Sequence, residues 1–91
     1  MRELQELRGE LDGLDRELTA LLERRLALAR EIARAKAQRG LPVRDAAREA
    51  QVLASRRAWL KDPALGDACD RFFEGLMALS RQVQEEEMRN A

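Results

Sequence analysis

LQELRGELDGLDRELTALLERRLALAREIARA, residues 4–35, decides the fold of this 91-residue chain. Its leucines recur at alternating intervals of three and four residues, which is the spacing of one face of an α-helix. This apolar seam comprises Leu4, Leu7, Leu11, Leu14, Leu18 and Leu21, and the same rule continues it through Arg25, Leu28, Ile32 and Ala35. The spacing predicts one long helix over residues 2–38, which Gly40 and Pro42 end.

Two shorter helices are predicted beyond this break. The first runs over residues 46–60 with Asp45 as its N-cap. The segment KDPALGD, residues 61–67, forms the next break, and a third helix covers residues 64–88. We find no strand pattern and no repeat, so the sequence predicts a single all-α domain with one long, one short and one medium helix.

The length of the first helix indicates an oligomer. About 37 helical residues reach about 55 Å, whereas a compact chain of this size is only about 30 Å across. Much of the leucine seam would therefore be bare in a monomer, which soluble proteins avoid. We expect an intertwined helical homodimer with two-fold symmetry, in which part of any site comes from the partner chain.

The composition excludes several classes of function. The 17 acidic and 17 basic residues balance, which argues against nucleic-acid or acidic-membrane binding. The chain has no His, the commonest general base and metal ligand, and its single Cys69 can form no intrachain disulfide. Motifs for phosphate loops and metal ligands are missing, so we predict no cofactor and no metal. No signal peptide or membrane-spanning run is apparent, and we expect a soluble, cytoplasmic protein.

Two cations interrupt the apolar face of the first helix. Arg25 lies on the seam, and Lys36 is eleven residues further on, within about 20° of the same face. Burying an unpaired guanidinium is costly. The pattern therefore indicates an anion held between Arg25 and Lys36, or else an Arg25 that reaches solvent or pairs with a glutamate across the interface.

Polar residues also extend the apolar face of the third helix. Phe73, Met77, Ser80 and Gln84 share that face, so the last two either donate hydrogen bonds to a ligand or mark where the face meets water. Arg8 lies about 100° around the first helix from Arg25. It is either a solvated arginine or, in an intertwined dimer, a residue that reaches the partner's cavity.

The start of the second helix carries the remaining candidates. Glu49 is the acid nearest these cations, although it would also stabilise its own helix N-terminus. Asp45 is a structural cap. A capped helix start also exposes backbone N–H groups that can bind an oxyanion or a hydroxyl.

Together these residues resemble the all-α chorismate mutase family. The specific part is K-x5-PVRD-x2-RE over residues 36–49, and the likeness covers nearly the whole chain. The resemblance implies a single chorismate mutase domain over residues 1–91 and an intertwined homodimer with two shared sites. It also implies conversion of chorismate to prephenate by a Claisen rearrangement, in phenylalanine and tyrosine biosynthesis, without a cofactor.

The resemblance also assigns roles to the two ends of the substrate. Arg25 would bind one substrate carboxylate with help from Ser80, and the partner subunit's Arg8 would clamp the other. Lys36 and Gln84 would donate to the ether oxygen of the breaking C–O bond.

The remaining roles concern the ring hydroxyl. Glu49 and the backbone N–H of Asp45 would hold it, while Arg48 would line the pocket and orient Glu49. Two other functions stay open: an isochorismate–pyruvate lyase acting on a similar dianion, and a non-catalytic helical dimerisation or regulatory module. Docking on another enzyme of the shikimate pathway is also left open.

Overall fold

The computed structural model describes residues 1–90 and confirms the all-α fold. Its three α-helices have 35, 13 and 25 residues, so one is long, one short and one medium. The elements are α1 (Leu4–Gln38), α2 (Ala46–Ala58), a 3-10 turn (Pro63–Leu65) and α3 (Gly66–Asn90). Residues 1–90 contain no strand.

Helix α1 ends where the sequence predicts. Gly40 adopts a φ of 66°, a left-handed conformation that glycine takes without steric cost. Its N–H donates to Ala37 O at 3.2 Å, and the Leu41 N–H donates to Lys36 O at 2.9 Å. This paired arrangement is a Schellman motif, which satisfies the last carbonyls of a helix. It turns the chain sharply just beyond Lys36.

Helix α2 begins at the predicted cap and ends slightly early. The Asp45 Oδ1 accepts a hydrogen bond from the Arg48 N–H at 3.0 Å, which confirms the N-cap. The helix ends at Ala58 rather than at residue 60, because Trp59 and Leu60 close a tighter turn.

Helix α3 begins later than the sequence suggests. Residues 63–65 form a 3-10 turn instead of the first turn of the α-helix. The Asp62 side chain caps this turn by accepting from the Ala64 N–H at 3.0 Å. The α-helix therefore starts at Gly66, and it extends to Asn90, two residues beyond the predicted end.

Helix α3 packs against both α1 and α2. Few side chains become buried: Ala29, Ala33, Val52, Met77 and Gln84. The extents of 56 × 27 × 14 Å and the radius of gyration of 16.4 Å confirm the elongated shape. A compact chain of this length would have a radius of about 12 Å.

The leucine seam is left uncovered, as the length of α1 predicts. Leu4, Leu7, Leu11, Leu14, Leu18 and Leu21 are between 44% and 60% exposed. An exposed apolar stripe of this length marks an interaction surface. Within residues 1–90, no helix combines the length and the apolar character needed to cross a bilayer.

Candidate active site

Three helices enclose a cavity of about 400 Å³ in the half of the molecule where α1, α2 and α3 meet. Its walls come from the C-terminal part of α1, most of α2 and the C-terminal half of α3. Seven of the eight predicted site residues line it: Arg25, Lys36, Asp45, Arg48, Glu49, Ser80 and Gln84. The structure therefore brings together residues that are up to 59 positions apart, Arg25 and Gln84.

Lys36, Gln84 and Ser80 form one hydrogen-bonded row. The Lys36 ammonium donates to Val43 O at 2.6 Å and to Gln84 Oε1 at 2.8 Å. The Gln84 Nε2 in turn donates to Ser80 Oγ at 3.1 Å. An ammonium has three N–H groups and an amide nitrogen has two, so each of these nitrogens keeps one donor for a ligand. Gln84 is only 6% exposed, which fixes the row in place.

Arg25 is a half-buried cation on the cavity wall. Burial lowers the pKa of the Arg25 guanidinium, and the positive charges of Arg56 and Arg48 lower it further. Among residues 1–90, no carboxylate forms an ion pair with Arg25. Pairing with a glutamate across the interface, one of the alternatives that the sequence leaves open, stays a prediction because the structure holds one chain. The arrangement favours an anion beside Arg25.

Glu49 is held by a residue that the sequence analysis missed. The Arg81 Nη1 donates to both carboxylate oxygens of Glu49, at 2.7 and 2.6 Å. A second guanidinium, that of Arg44, lies 4.0 Å from Glu49 Oε1. The cavity therefore presents a glutamate whose direction is fixed from α3.

No hydrogen bond or ion pair joins the side chains of Arg48 and Glu49 among residues 1–90, so the role of Arg48 in orienting Glu49 stays a prediction. The Arg48 guanidinium donates to Gln51 Oε1 at 2.8 Å. The physical reason is helix geometry, since side chains three positions apart are neighbours while successive ones diverge by about 100°. Arg48 nevertheless lines the cavity and contributes its charge.

Asp45 uses its carboxylate for the helix cap. What it can offer to a ligand is therefore its backbone N–H at the start of α2. Helix starts favour negatively charged or electron-rich groups, because the first N–H groups have no partner within the helix.

Arg8 lies outside the cavity of its own chain. It is exposed in the N-terminal half of α1, and the 17 residues to Arg25 span about 25 Å along the helix axis. Arg8 therefore cannot reach the cavity of its own chain. Its binding of substrate in a partner's cavity stays a prediction.

Two charged cavity residues escaped the sequence analysis, Arg56 and Arg81. Arg56 was detectable, because it follows Arg48 and Val52 at intervals of four along α2. Its guanidinium donates to Ser55 Oγ at 2.9 Å and lies 4.6 Å from the centroid of the Trp59 ring. Arg81 gave no such signal, since its partner is 32 positions away.

The cavity is strongly cationic. Its five cations are Arg25, Lys36, Arg48, Arg56 and Arg81, against the two carboxylates of Asp45 and Glu49. The first carboxylate caps a helix and the second is already paired. The remaining positive charge suits a small dianion. Within residues 1–90, no three His, Cys, Asp or Glu side chains converge on a common point.

Comparison with known proteins gives an independent line of information. The sequence profile of the family described as chorismate mutase type II matches residues 7–85. The T-protein of Haemophilus influenzae is 44% identical over 57 residues, which are 63% of this chain and 15% of that protein. The T-protein of Enterobacter agglomerans is 46% identical over 55 residues, 60% of this chain and 15% of that protein. The matched part of this chain thus spans only about a seventh of these relatives.

Proposed function

The chain belongs to the type II chorismate mutase family, and on that premise we propose that it converts chorismate to prephenate in the cavity between its three helices. The observation that carries the proposal is the row formed by Lys36, Gln84 and Ser80 beside Arg25, which makes no ion pair within residues 1–90. The reaction is an intramolecular Claisen rearrangement. We place it in the biosynthesis of phenylalanine and tyrosine.

The first task of the site is to fold an extended dianion into a reactive conformation. Arg25, with the Ser80 hydroxyl, binds one carboxylate of the substrate. A pericyclic step needs no nucleophile and no proton transfer, so orientation supplies much of the acceleration. Effects of this kind are worth up to about 7–11 kcal/mol.

The second task is to stabilise the charge that develops as the C–O bond breaks. Negative charge grows on the ether oxygen in the transition state. The uncommitted N–H groups of Lys36 and Gln84 donate to that oxygen. Since the charge is larger in the transition state than in the ground state, these donors bind the transition state more tightly and accelerate the step.

The ring hydroxyl is the third recognition point. Glu49 accepts a hydrogen bond from it, and the backbone N–H of Asp45 donates to its oxygen. Arg48 adds positive charge to the wall. The separation of anion-binding and hydroxyl-binding groups across the cavity gives the substrate one orientation.

The other carboxylate of the substrate requires a second chain. We infer a homodimer in which the partner's Arg8 completes each cavity. The exposed leucine seam supports it, as does an apolar groove beside Arg25 lined by Leu18, Leu22, Phe72, Leu76 and Leu79. A second long helix would cover this surface.

Two substrates separate the proposed function from its alternatives. Purified protein is supplied with chorismate, and the loss of its absorbance and the formation of prephenate are followed. Isochorismate is supplied in parallel, and pyruvate and salicylate are measured. We expect conversion of chorismate to dominate.

Faster release of pyruvate from isochorismate would instead assign a lyase. No turnover of either substrate, together with an unchanged melting temperature in a bicyclic dicarboxylate that mimics the transition state, would leave a non-catalytic helical module.

A further inference from the structure

Arg81 makes an ion pair inside the cavity that the proposed chemistry does not yet use. It lies on α3, whereas its partner Glu49 lies on α2, 32 positions away. The side chains are 26% and 20% exposed, which makes this the most buried ion pair among residues 1–90. One nitrogen, Nη1, contacts both oxygens, at 2.7 and 2.6 Å.

This contact fixes the direction of the carboxylate. A glutamate side chain has three rotatable bonds, and ordering it on ligand binding costs conformational entropy. The Nη1 atom lies between the two oxygens and therefore removes most of that freedom before a ligand arrives. Each oxygen still has a second lone pair with which to accept a hydrogen bond.

Arg81 also lies on the same turn of α3 as Ser80, which binds the other end of the substrate in the proposed mechanism. It directly follows Ser80, and it precedes Gln84 by less than one helical turn. One turn of α3 thus carries the carboxylate-binding hydroxyl and the partner of the hydroxyl-binding glutamate. A single rigid element sets the distance between the two recognition points.

We propose that Arg81 is a positioning residue that fixes the Glu49 carboxylate for the hydroxyl of the substrate. This inference rests on the proposed function. Arg81 acts through Glu49 and does not itself touch the reacting atoms. Its role is preorganisation, which improves binding by lowering the cost of ordering the site.

A second ion pair between helices, outside the cavity, provides a control for effects on stability alone. Arg34 on α1 donates to Glu87 Oε1 on α3 at 2.6 Å, and neither residue lines the cavity. Arg34→Leu removes the same charge and the same type of contact as Arg81→Leu. We expect the Arg34 variant to retain both kcat and KM.

The kinetic test compares Arg81→Leu, Arg81→Lys and Arg34→Leu with the wild type. A hydroxyl contact is present in both ground and transition states, so its loss raises KM and leaves kcat nearly unchanged. We expect KM for chorismate to rise by about tenfold in Arg81→Leu, which corresponds to one weakened hydrogen bond to a charged acceptor. Arg81→Lys should recover part of this loss. A fall in kcat at constant KM, or the same rise in KM for Arg34→Leu, would overturn the inference.

A double substitution separates an action through Glu49 from direct contact with the substrate. If Arg81 acts through Glu49, the change Arg81→Leu costs less than about twofold in kcat/KM once Glu49→Ala is present. Full additivity would refute the assignment. A wild-type protein that does not convert chorismate overturns the proposed function and this inference with it. An active wild type whose KM is unchanged by Arg81→Leu overturns this inference alone.

Discussion

Lys36 Nζ lies 2.8 Å from Gln84 Oε1, and this hydrogen bond joins the end of α1 to the C-terminal half of α3. It sets the orientation of the Gln84 amide, whose nitrogen then donates to Ser80 Oγ. The two nitrogens that donate to the ether oxygen in the proposed mechanism are therefore fixed relative to each other. Catalysis by hydrogen-bond donors depends on such fixed geometry, because no reorganisation is then needed during the reaction.

Replacing the Gln84 amide removes one of these donors. We expect Gln84→Leu to lower kcat by about 10²–10³, the usual loss for one donor to a developing oxyanion. Gln82→Leu is the matched control, because Gln82 is exposed on the same helix. The measurement is kcat from steady-state kinetics, on variants whose circular dichroism spectra match that of the wild type. A Gln84→Leu enzyme with kcat within twofold of wild type would remove Gln84 from the mechanism.

We expect Arg25 to lower the stability of the ligand-free protein. Its lowered pKa means that the native state holds the charged guanidinium less favourably than the unfolded chain does. Arg25→Leu should therefore stabilise the ligand-free protein in urea unfolding, although only modestly because solvent screens the partly exposed guanidinium. Because arginine stays protonated at every ordinary pH, the gain should be equal at pH 5 and pH 9.

The same substitution should abolish ligand binding. A bicyclic dicarboxylate should raise the melting temperature of the wild type and leave that of Arg25→Leu unchanged. Arg30→Leu, an exposed change on the same helix, is the control and should show neither effect. Loss of stability in Arg25→Leu would indicate that the guanidinium has a structural partner.

The leucine seam should hold two chains together. Sedimentation of the wild type is expected to give twice the chain mass of 10.4 kDa. Leu14→Glu places a charge on the seam, where Leu14 is 60% exposed in one chain, and should shift the protein to monomers. Arg16→Glu, on the opposite face of α1, should not. A wild type that stays monomeric at micromolar concentration contradicts the dimer.

If each cavity contains residues of both chains, mixing two inactive variants should restore activity. Arg8→Ala and Lys36→Ala should each be nearly inactive alone. In a mixed dimer, one cavity has an intact Lys36 and receives the partner's intact Arg8, while the other cavity lacks both. Co-refolding equal amounts should restore roughly a quarter of wild-type activity, since half of the dimers are mixed and each has one good site. No recovery would mean that Arg8 does not serve the partner's cavity.

The sequence predicted those features that depend on local patterns. Alternating intervals of three and four residues located α1, and Asp45 located the start of α2. Lys36 and Gln84 were recognisable because they stand where the helical period places a buried face. All three helices differ from prediction by two residues at one end or at both. At the end of α2 and the start of α3, tight turns compete with α-helix.

Contacts between helices were harder to predict. Helical periodicity assigns Arg81 and Glu49 to faces of α3 and α2, but it does not state which side chains meet when the helices pack. The expectation that Arg48 orients Glu49 came from a resemblance, whereas the contact that the structure shows for Arg48 is with Gln51, its neighbour at i, i+3. The proposed contacts of Arg8 are with the cavity of the partner, so one chain does not show them.

The most direct measurement is the conversion of chorismate to prephenate by the wild type and by Lys36→Met at equal concentrations of folded protein. We predict wild-type turnover far above the uncatalysed reaction, and a kcat lower by about 10²–10³ for Lys36→Met. Lys36→Met keeps most of the apolar length of the side chain and removes only the ammonium. A wild type that does not accelerate the reaction, or a Lys36→Met variant as fast as the wild type, would contradict the proposed mechanism.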